Sequence, residues 1–196
     1  IYPQGATFLV YEKFTFTAFH SKFYASGSLD YAYTEPDGTQ IHVTCQRRGQ
    51  PIEVYIIPPL PAVHHVYKEF YPNGNLKQKG LYLPQQLCIG KWLQCDESGY
   101  CTVLDYEAGR GSFGYNGVLK ILDQRGYTRA NGWSFVIWFK DDANQWGVKV
   151  QNDTLYRMLV IDADSGEIVA EAEYQFKQTN TVPPQQDTYI EPKYTY

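Results

Sequence analysis

Long hydrophobic runs are missing from this chain of 196 residues. Nowhere do about eighteen apolar residues follow one another, so no segment is fitted to cross a bilayer as a helix. Clustered basic residues are missing too: 17 Lys and Arg are scattered among 21 Asp and Glu, with a net charge of -4 and a pI near 5.5. That leaves no positive face for nucleic-acid phosphates. Methionine occurs once, and the 4 histidines (His20, His42, His64, His65) contain no H-x3-H pair. The 4 cysteines, Cys45, Cys88, Cys95 and Cys101, follow C-x6-C and C-x5-C spacings that match no zinc knuckle. No metal, cofactor or catalytic residue is expected from these patterns. The chain opens on Ile1 rather than Met, which fits an export or lipoprotein leader already removed and fits equally a boundary of another kind.

What is abundant is aromatic surface: 18 Tyr, 10 Phe and 4 Trp, residues that suit a pleated sheet better than a helix. Residues 6–24, "ATFLVYEKFTFTAFHSKFY", alternate apolar and polar in their middle, which places Phe14, Phe16 and Ala18 on one strand face and Thr15, Thr17 and Phe19 on the other. Asp37-Gly38 in "EPDGT" predicts a tight turn, with "TQIHVTC" as the returning strand. Three prolines in "YIIPPLPAVHH" interrupt the ladder, so a linker is expected between Pro58 and Ala62. A helix is predicted in "NGVLKILDQRG", with Gly126 as its stop. Beyond it, four apolar runs separated by turn clusters at 141–144, 152–153 and 164–166 predict an antiparallel meander. The expected organisation is a β-hairpin region over 1–110, a small α+β module over 111–177 and an extended tail over 178–196, a mainly β (α+β) chain.

A hairpin unit recurs. "KFYASGSLDYAY" (22–33) aligned with "EFYPNGNLKQKG" (69–80) superposes Phe23, Tyr24, Gly27 and Leu29 on Phe70, Tyr71, Gly74 and Leu76. "LQCDESGYCTVLDY" (93–106) keeps Gly99 in register, with Cys95 and Cys101 where the other copies have Phe and Leu. Glycine supplies the positive φ of a tight turn, and the flanking pair then shares one face. One hairpin cannot shelter that face, so such units are stable only side by side. Cys95 and Cys101 therefore stand opposite each other and predict a disulfide, leaving Cys45 with Cys88 as a second bridge; buried reduced thiols are the alternative.

"EFYPNGNLKQKGLY" followed by "GKWLQCDESGYCTVLDY" resembles the MORN-repeat variant of bacterial YwqK-type antitoxins, over about residues 66–109. Residues 146–169, "WGVKVQNDTLYRMLVIDADSGEIV", are similar to half of a PepSY-like cell-envelope module. The first resemblance implies an antiparallel MORN-like sheet, followed here by one helix on a four-stranded meander. It also implies a non-enzymatic antitoxin or immunity role in the periplasm or cell envelope, with a secreted toxin, such as a phospholipase-type effector of a type VI system, as partner. A structural envelope lipoprotein and an enzyme with a dispersed site are the alternatives.

The remaining motifs are read conservatively. His64 and His65, as neighbours in a strand, point to opposite faces and cannot readily share a metal. "IDADSGE", with Asp162, Asp164 and Glu167, lacks the later ligands of an EF-hand loop. "GRGSFGYNG" (109–117) lacks both phosphate-loop spacings and is read as a flexible connection. The acids of the third hairpin are either a solvated edge or, with Tyr106, a partner-binding patch of Asp96, Glu97, Asp105, Tyr106 and Glu107.

Overall fold

The computed structural model describes residues 9–15, 29–83 and 87–176. Seven strands form one antiparallel sheet in chain order: β1 (Leu29–Thr34), β2 (Gln40–Cys45), β3 (Ile52–Ile57), β4 (His65–Phe70), β5 (Leu76–Tyr82), β6 (Cys88–Cys95) and β7 (Cys101–Asp105). The helix α1 (Gly114–Gln124) follows, then β8 (Ser134–Lys140), β9 (Gln145–Gln151), β10 (Leu155–Asp162) and β11 (Ile168–Gln175) as a four-stranded antiparallel meander. Among the described residues the fold is mainly β with one short α-helix, as the periodicities predicted. The proline run occupies the connection between β3 and β4, which pair directly, so it interrupts the ladder without leaving the sheet.

Three hairpin tips are built alike. Thr34 and Gln40, Phe70 and Leu76, and Cys95 and Cys101 are the flanking partners. Between them, the first loop residue donates its N–H to the fifth residue's carbonyl, at 2.8 Å from Glu35 to Thr39, 2.8 Å from Tyr71 to Asn75 and 3.0 Å from Asp96 to Tyr100. The fourth residue is glycine each time, with φ of 89° at Gly38, 84° at Gly74 and 91° at Gly99, a region that costs other residues strain. Gly74 and Gly99 thus sit at the expected tips. Gly27 lies outside the described residues, and the third like-built turn is that of Gly38, whose threonine and glutamine flanks hide it from an apolar template.

The early strand reading needs correction. Of residues 9–15, only Lys13 pairs with the sheet, through an isolated bridge to Asn75, and the first arm of the Gly38 hairpin is β1. Phe16, Thr17, Ala18 and Phe19 lie outside the described residues. The segment instead packs across one sheet face, where Leu9, Tyr11 and Phe14 cover Val43, Ile52, Val54, Phe70, Leu76 and Leu93. Beneath it, Glu12 takes Lys68 and Lys79 at 2.9 Å each, and Lys79 is only 4% exposed. Burial raises the Glu12 carboxyl's pKa, but the two ammonium groups outweigh burial and hold it below its usual range. A depressed carboxylate stabilises the fold above its unfolded pKa and loses that contribution as the pH falls through the folded one. Glu12→Gln is expected to cost about 2 kcal/mol at neutral pH, below the figure for a fully buried pair because part of Glu12 meets water. Urea titrations should show the difference from the parent shrinking as the pH falls below the ordinary glutamate range and through the depressed folded pKa.

Cys95 and Cys101 form the predicted disulfide across their hairpin. Cys45 and Cys88 do not: both are free thiols. β2 and β6 stand four strand steps apart in the sheet, roughly 19 Å at the usual spacing, far beyond the Cα separation a disulfide spans. Burial pushes both thiols' pKa values up, and the Cys45 thiol donates to the Arg47 carbonyl at 3.2 Å. Closing so short a loop should contribute about 2 kcal/mol. Cys95→Ala/Cys101→Ala is therefore expected to lower stability by that amount, with dithiothreitol reproducing the loss in the parent and doing nothing to the double variant.

The same sheet face continues into a second core. Leu81, Leu83 and Ile89 meet Tyr115, Val118 and Leu122 of α1 and Ile137, Trp146, Val148, Leu159 and Ile161 of the meander. The apolar stripe of α1 is thus closed by both sheets, and Gly126 stops the helix with φ of 71°.

The glycine-rich connection is pinned, contrary to its reading as flexible. Ser112 donates its N–H to the Asp164 carboxylate at 3.2 Å and its hydroxyl to the Asp164 carbonyl at 2.9 Å, and the Phe113 N–H reaches the Ala163 carbonyl at 2.9 Å. Asp162 and Asp164 are engaged in turn. Asp162 accepts from Ser165 N–H and hydroxyl at 2.8 Å each, and Asp164 also accepts from Asn144 at 2.8 Å. The two motifs read separately in the sequence are each other's docking partners.

Candidate functional site

The sheet face opposite the cores carries two parallel rows of side chains, set by register. Asp30, Thr44, Glu53, Glu69, Gln78, Gln94 and Thr102 pair successively from β1 to β7, forming a polar row whose first half is acidic. Two residues along each strand, Ala32, His42, Tyr55, Tyr67 and Gly80 pair in the same way. A Cβ on Gly80 would stand 2.1 Å from the Trp92 ring, so the missing side chain is what lets Trp92 of β6 lie flat across β5. Trp92 anchors itself by donating Nε1–H to the Leu81 carbonyl at 3.0 Å.

An aromatic stripe results. Ring centroids are 5.2 Å apart for Tyr55 and Tyr67, 6.0 Å for Tyr67 and Tyr82, 6.1 Å for Tyr67 and Trp92, and 5.4 Å for Trp92 and Tyr106. His65 meets Tyr82 edge-on at 5.5 Å. Most of these rings are half-buried, each with an edge or face open to solvent, and Trp92 lies beneath as their floor.

The two rows are joined through Glu53. The hydroxyls of Tyr55 and Tyr67 each donate to its carboxylate at 3.1 Å. Burial raises the pKa of Tyr55 to about 12, helped by Glu53, and raises Tyr67 and Tyr82 further still. All three remain neutral phenols over the physiological range, able to donate hydrogen bonds and present ring faces. Glu69, paired with Glu53 across β3 and β4, is only 7% exposed and is held by Lys77 at 2.8 Å and Gln78 at 2.7 Å. Beside the stripe an open cleft of about 500 Å³ is lined by Asp30, Thr44, Gln46, Gln50, Glu53 and Glu69. Rings at this spacing next to carboxylates form a surface suited to lysine, arginine and apolar side chains, through cation–π and charge-assisted contacts.

The acids singled out in the sequence divide between the two ends of β7. At the hairpin tip Asp96 caps its own turn, accepting from the Ser98 N–H at 2.9 Å and the Tyr100 N–H at 3.0 Å, while Glu97 is exposed. At the far end, roughly 13 Å along the strand, Asp105 accepts from the Glu107 N–H at 3.0 Å. Glu107 turns inward and accepts from the Tyr115 N–H at 3.1 Å, bracing the first turn of α1. Tyr106 extends the aromatic stripe. Sequence reasoning missed Tyr55, Tyr67, Tyr82, Trp92, Glu53 and Glu69 as a set; alternate polar and aromatic residues in "IEVYII" and "HVYKEF" were the available signal, and register supplied the rest.

A second concavity lies between the proline connection and α1, with Pro59, Pro61, His64, Leu119, Tyr127 and Phe135 among its walls. His64 is buried there, and burial lowers its pKa to about 4, while His65 projects to the aromatic stripe. The pair splits across the sheet, as their adjacency in the chain predicted. Among the described residues no group of three or more His, Cys, Asp or Glu is arranged to hold a metal ion, and no helix is long and apolar enough to cross a membrane. No protein-family model matches the chain, and no curated protein matches its sequence.

Proposed function

We propose that this chain is a non-enzymatic binding protein of the immunity or antitoxin kind, which neutralises a secreted bacterial effector by covering its active site. The observation that carries this reading is the aromatic stripe running beside an acidic row on a broad sheet face. Tyrosine and tryptophan provide rigid contact area at small entropic cost, and carboxylates at the margin steer a basic partner. The disulfide at the β6–β7 hairpin accords with an oxidising compartment, hence with the periplasm or cell envelope as the place of action. The MORN-like character of the hairpins points the same way.

The test is co-expression with the secreted protein encoded in the neighbouring gene. Rescue of growth and co-purification are expected; neither rescue nor a complex would remove the reading. Within such a complex, Tyr67→Ala and Glu53→Gln are each expected to weaken binding by roughly 30-fold or more, the range of an interfacial hot spot. Unchanged affinity in both would move the interface away from this face.

A further inference from the structure

Among the described residues, β7 is one of the two edge strands of the seven-stranded sheet and has no strand paired on its outer side. β7 is the last strand in the sheet order, and its residues from Thr102 to Asp105 are exposed on both faces. Val103 is 54% exposed and Leu104 40% on this short strand, and Tyr100, just before it, is 73% exposed. Natural edge strands are normally blunted by lysine, proline or a bulge. "CTVLD" contains neither residue, and its register with β6 runs from Cys95–Cys101 to Lys91–Asp105 without a shift. The other sheet shows the contrast, because its edge strand β11 carries Glu171 and Glu173 tied to Arg125 and Arg157.

The backbone groups on offer follow from the ladder. The Asp96 N–H bonds to the Tyr100 carbonyl and the Tyr106 N–H to the Gly90 carbonyl, each at 3.0 Å. In an antiparallel pair hydrogen-bonded positions alternate, so Thr102 and Leu104 spend their backbone groups on β6 while Cys101 and Val103 turn theirs outward. The Cys95–Cys101 disulfide ties the start of this strand to β6, so the edge is held ready before any partner arrives. Asp96 and Glu97 lie at one end of it and Asp105 at the other; Lys91, the only basic side chain of β6 or β7, stands inside the edge, opposite Asp105.

The geometry points to β-strand addition: an extended segment of a partner protein, apolar at its centre and basic at its ends, pairs with β7 through the outward amides and carbonyls of Cys101 and Val103. Its central side chains pack on Val103 on one face and Leu104 on the other, and its lysines or arginines meet Glu97 and Asp105. Charge argues against a second copy as the occupant. Two β7 strands related by a two-fold axis at Val103 would bring each Asp105 toward the other's Cys101 end, beside Asp96 and Glu97, and like charges placed so oppose pairing. This edge adjoins the aromatic stripe, because Leu104 pairs with Trp92, but the outward backbone groups of Cys101 and Val103 lie beyond it, so the inference does not depend on what the stripe binds.

The probe is a labelled peptide, acetyl-KTVTVTK-amide, added to the full chain, with fluorescence polarisation for affinity and amide hydrogen exchange for site. Binding should slow exchange at the Cys101 and Val103 amides, while Thr102 and Leu104 are already slow in the free chain. Val103→Pro removes an outward N–H without touching the β6 ladder and should weaken binding by roughly tenfold or more. Glu97→Gln/Asp105→Asn should erase the preference for this peptide over acetyl-ETVTVTE-amide. The exchange readout uses the unaltered chain and so holds even if Val103→Pro folds poorly. No protection at Cys101 and Val103 under saturating peptide, affinity indifferent to Val103→Pro, equal binding of the acidic peptide by the unaltered chain, or a dimer abolished by Val103→Pro would each overturn the inference. Loss of the neutralising role in co-expression, with peptide binding intact, would discard the proposed function alone.

Discussion

Trp92→Ala should cost this protein about 4 kcal/mol, the range for truncating a buried aromatic, and lower its melting temperature by roughly 10 °C. Trp92 is 4% exposed, lies across Gly80, touches Tyr67 and Tyr106, and anchors its ring nitrogen on Leu81. Removing it opens a groove along β5 and β6 and takes the floor from under the aromatic stripe, so stability and partner binding should fall together. A double-mutant cycle separates packing from general damage. Gly80→Ala in the parent drives a methyl into the ring and should cost about 1–3 kcal/mol, whereas in the Trp92→Ala background the same change should be neutral or stabilising. Equal costs in both backgrounds would contradict the account of Gly80 as the seat of Trp92. Urea denaturation of the four proteins decides it.

Gly111→Ala should destabilise by about 3 kcal/mol, with Gly109→Ala as the comparison. Both glycines have positive φ, 73° at Gly111 and 85° at Gly109, so both substitutions carry the left-handed penalty. They differ in surroundings. A Cβ on Gly111 would stand 2.1 Å from the Ala163 carbonyl oxygen, which is backbone and accepts the Phe113 N–H, whereas a Cβ on Gly109 meets nothing within 4 Å. The extra cost at Gly111 measures how tightly the connection is docked on the β10–β11 turn. Since that docking positions the start of α1, Gly111→Ala should also speed amide exchange at Phe113 and Tyr115. A cost at Gly111 no greater than at Gly109 would return the segment to a loose connector.

How much of this was legible beforehand follows the range of the interactions. The Gly74 and Gly99 turns, the stretch that forms α1, the meander and the Cys95–Cys101 bridge each depend on residues a few positions apart, and local spacing is visible in a string of letters. The Gly38 turn was visible as a turn but not as a relative of the others, because its backbone is shared while its flanks, Thr34 and Gln40, are not apolar. The Cys45–Cys88 pairing failed because parity of count carries no distance. Of the acids in the third hairpin, Glu107 was read as surface although it faces the first turn of α1; only the chain's return toward β6 shows that.

The sequence by itself determined the strand-rich class, the turn chemistry and the lack of a clustered basic run or of an apolar run long enough for a spanning helix, since each follows from composition or from neighbours within one turn. Tertiary structure alone decided which side chains share the face that carries the aromatic stripe. Asp30 and Glu69, or Tyr55 and Tyr82, lie far apart in the chain and come together only once every intervening strand has taken its register. A slip of one residue in any of them would turn that strand's contribution to the opposite face, so the proposed binding surface belongs to the sheet rather than to any segment of it.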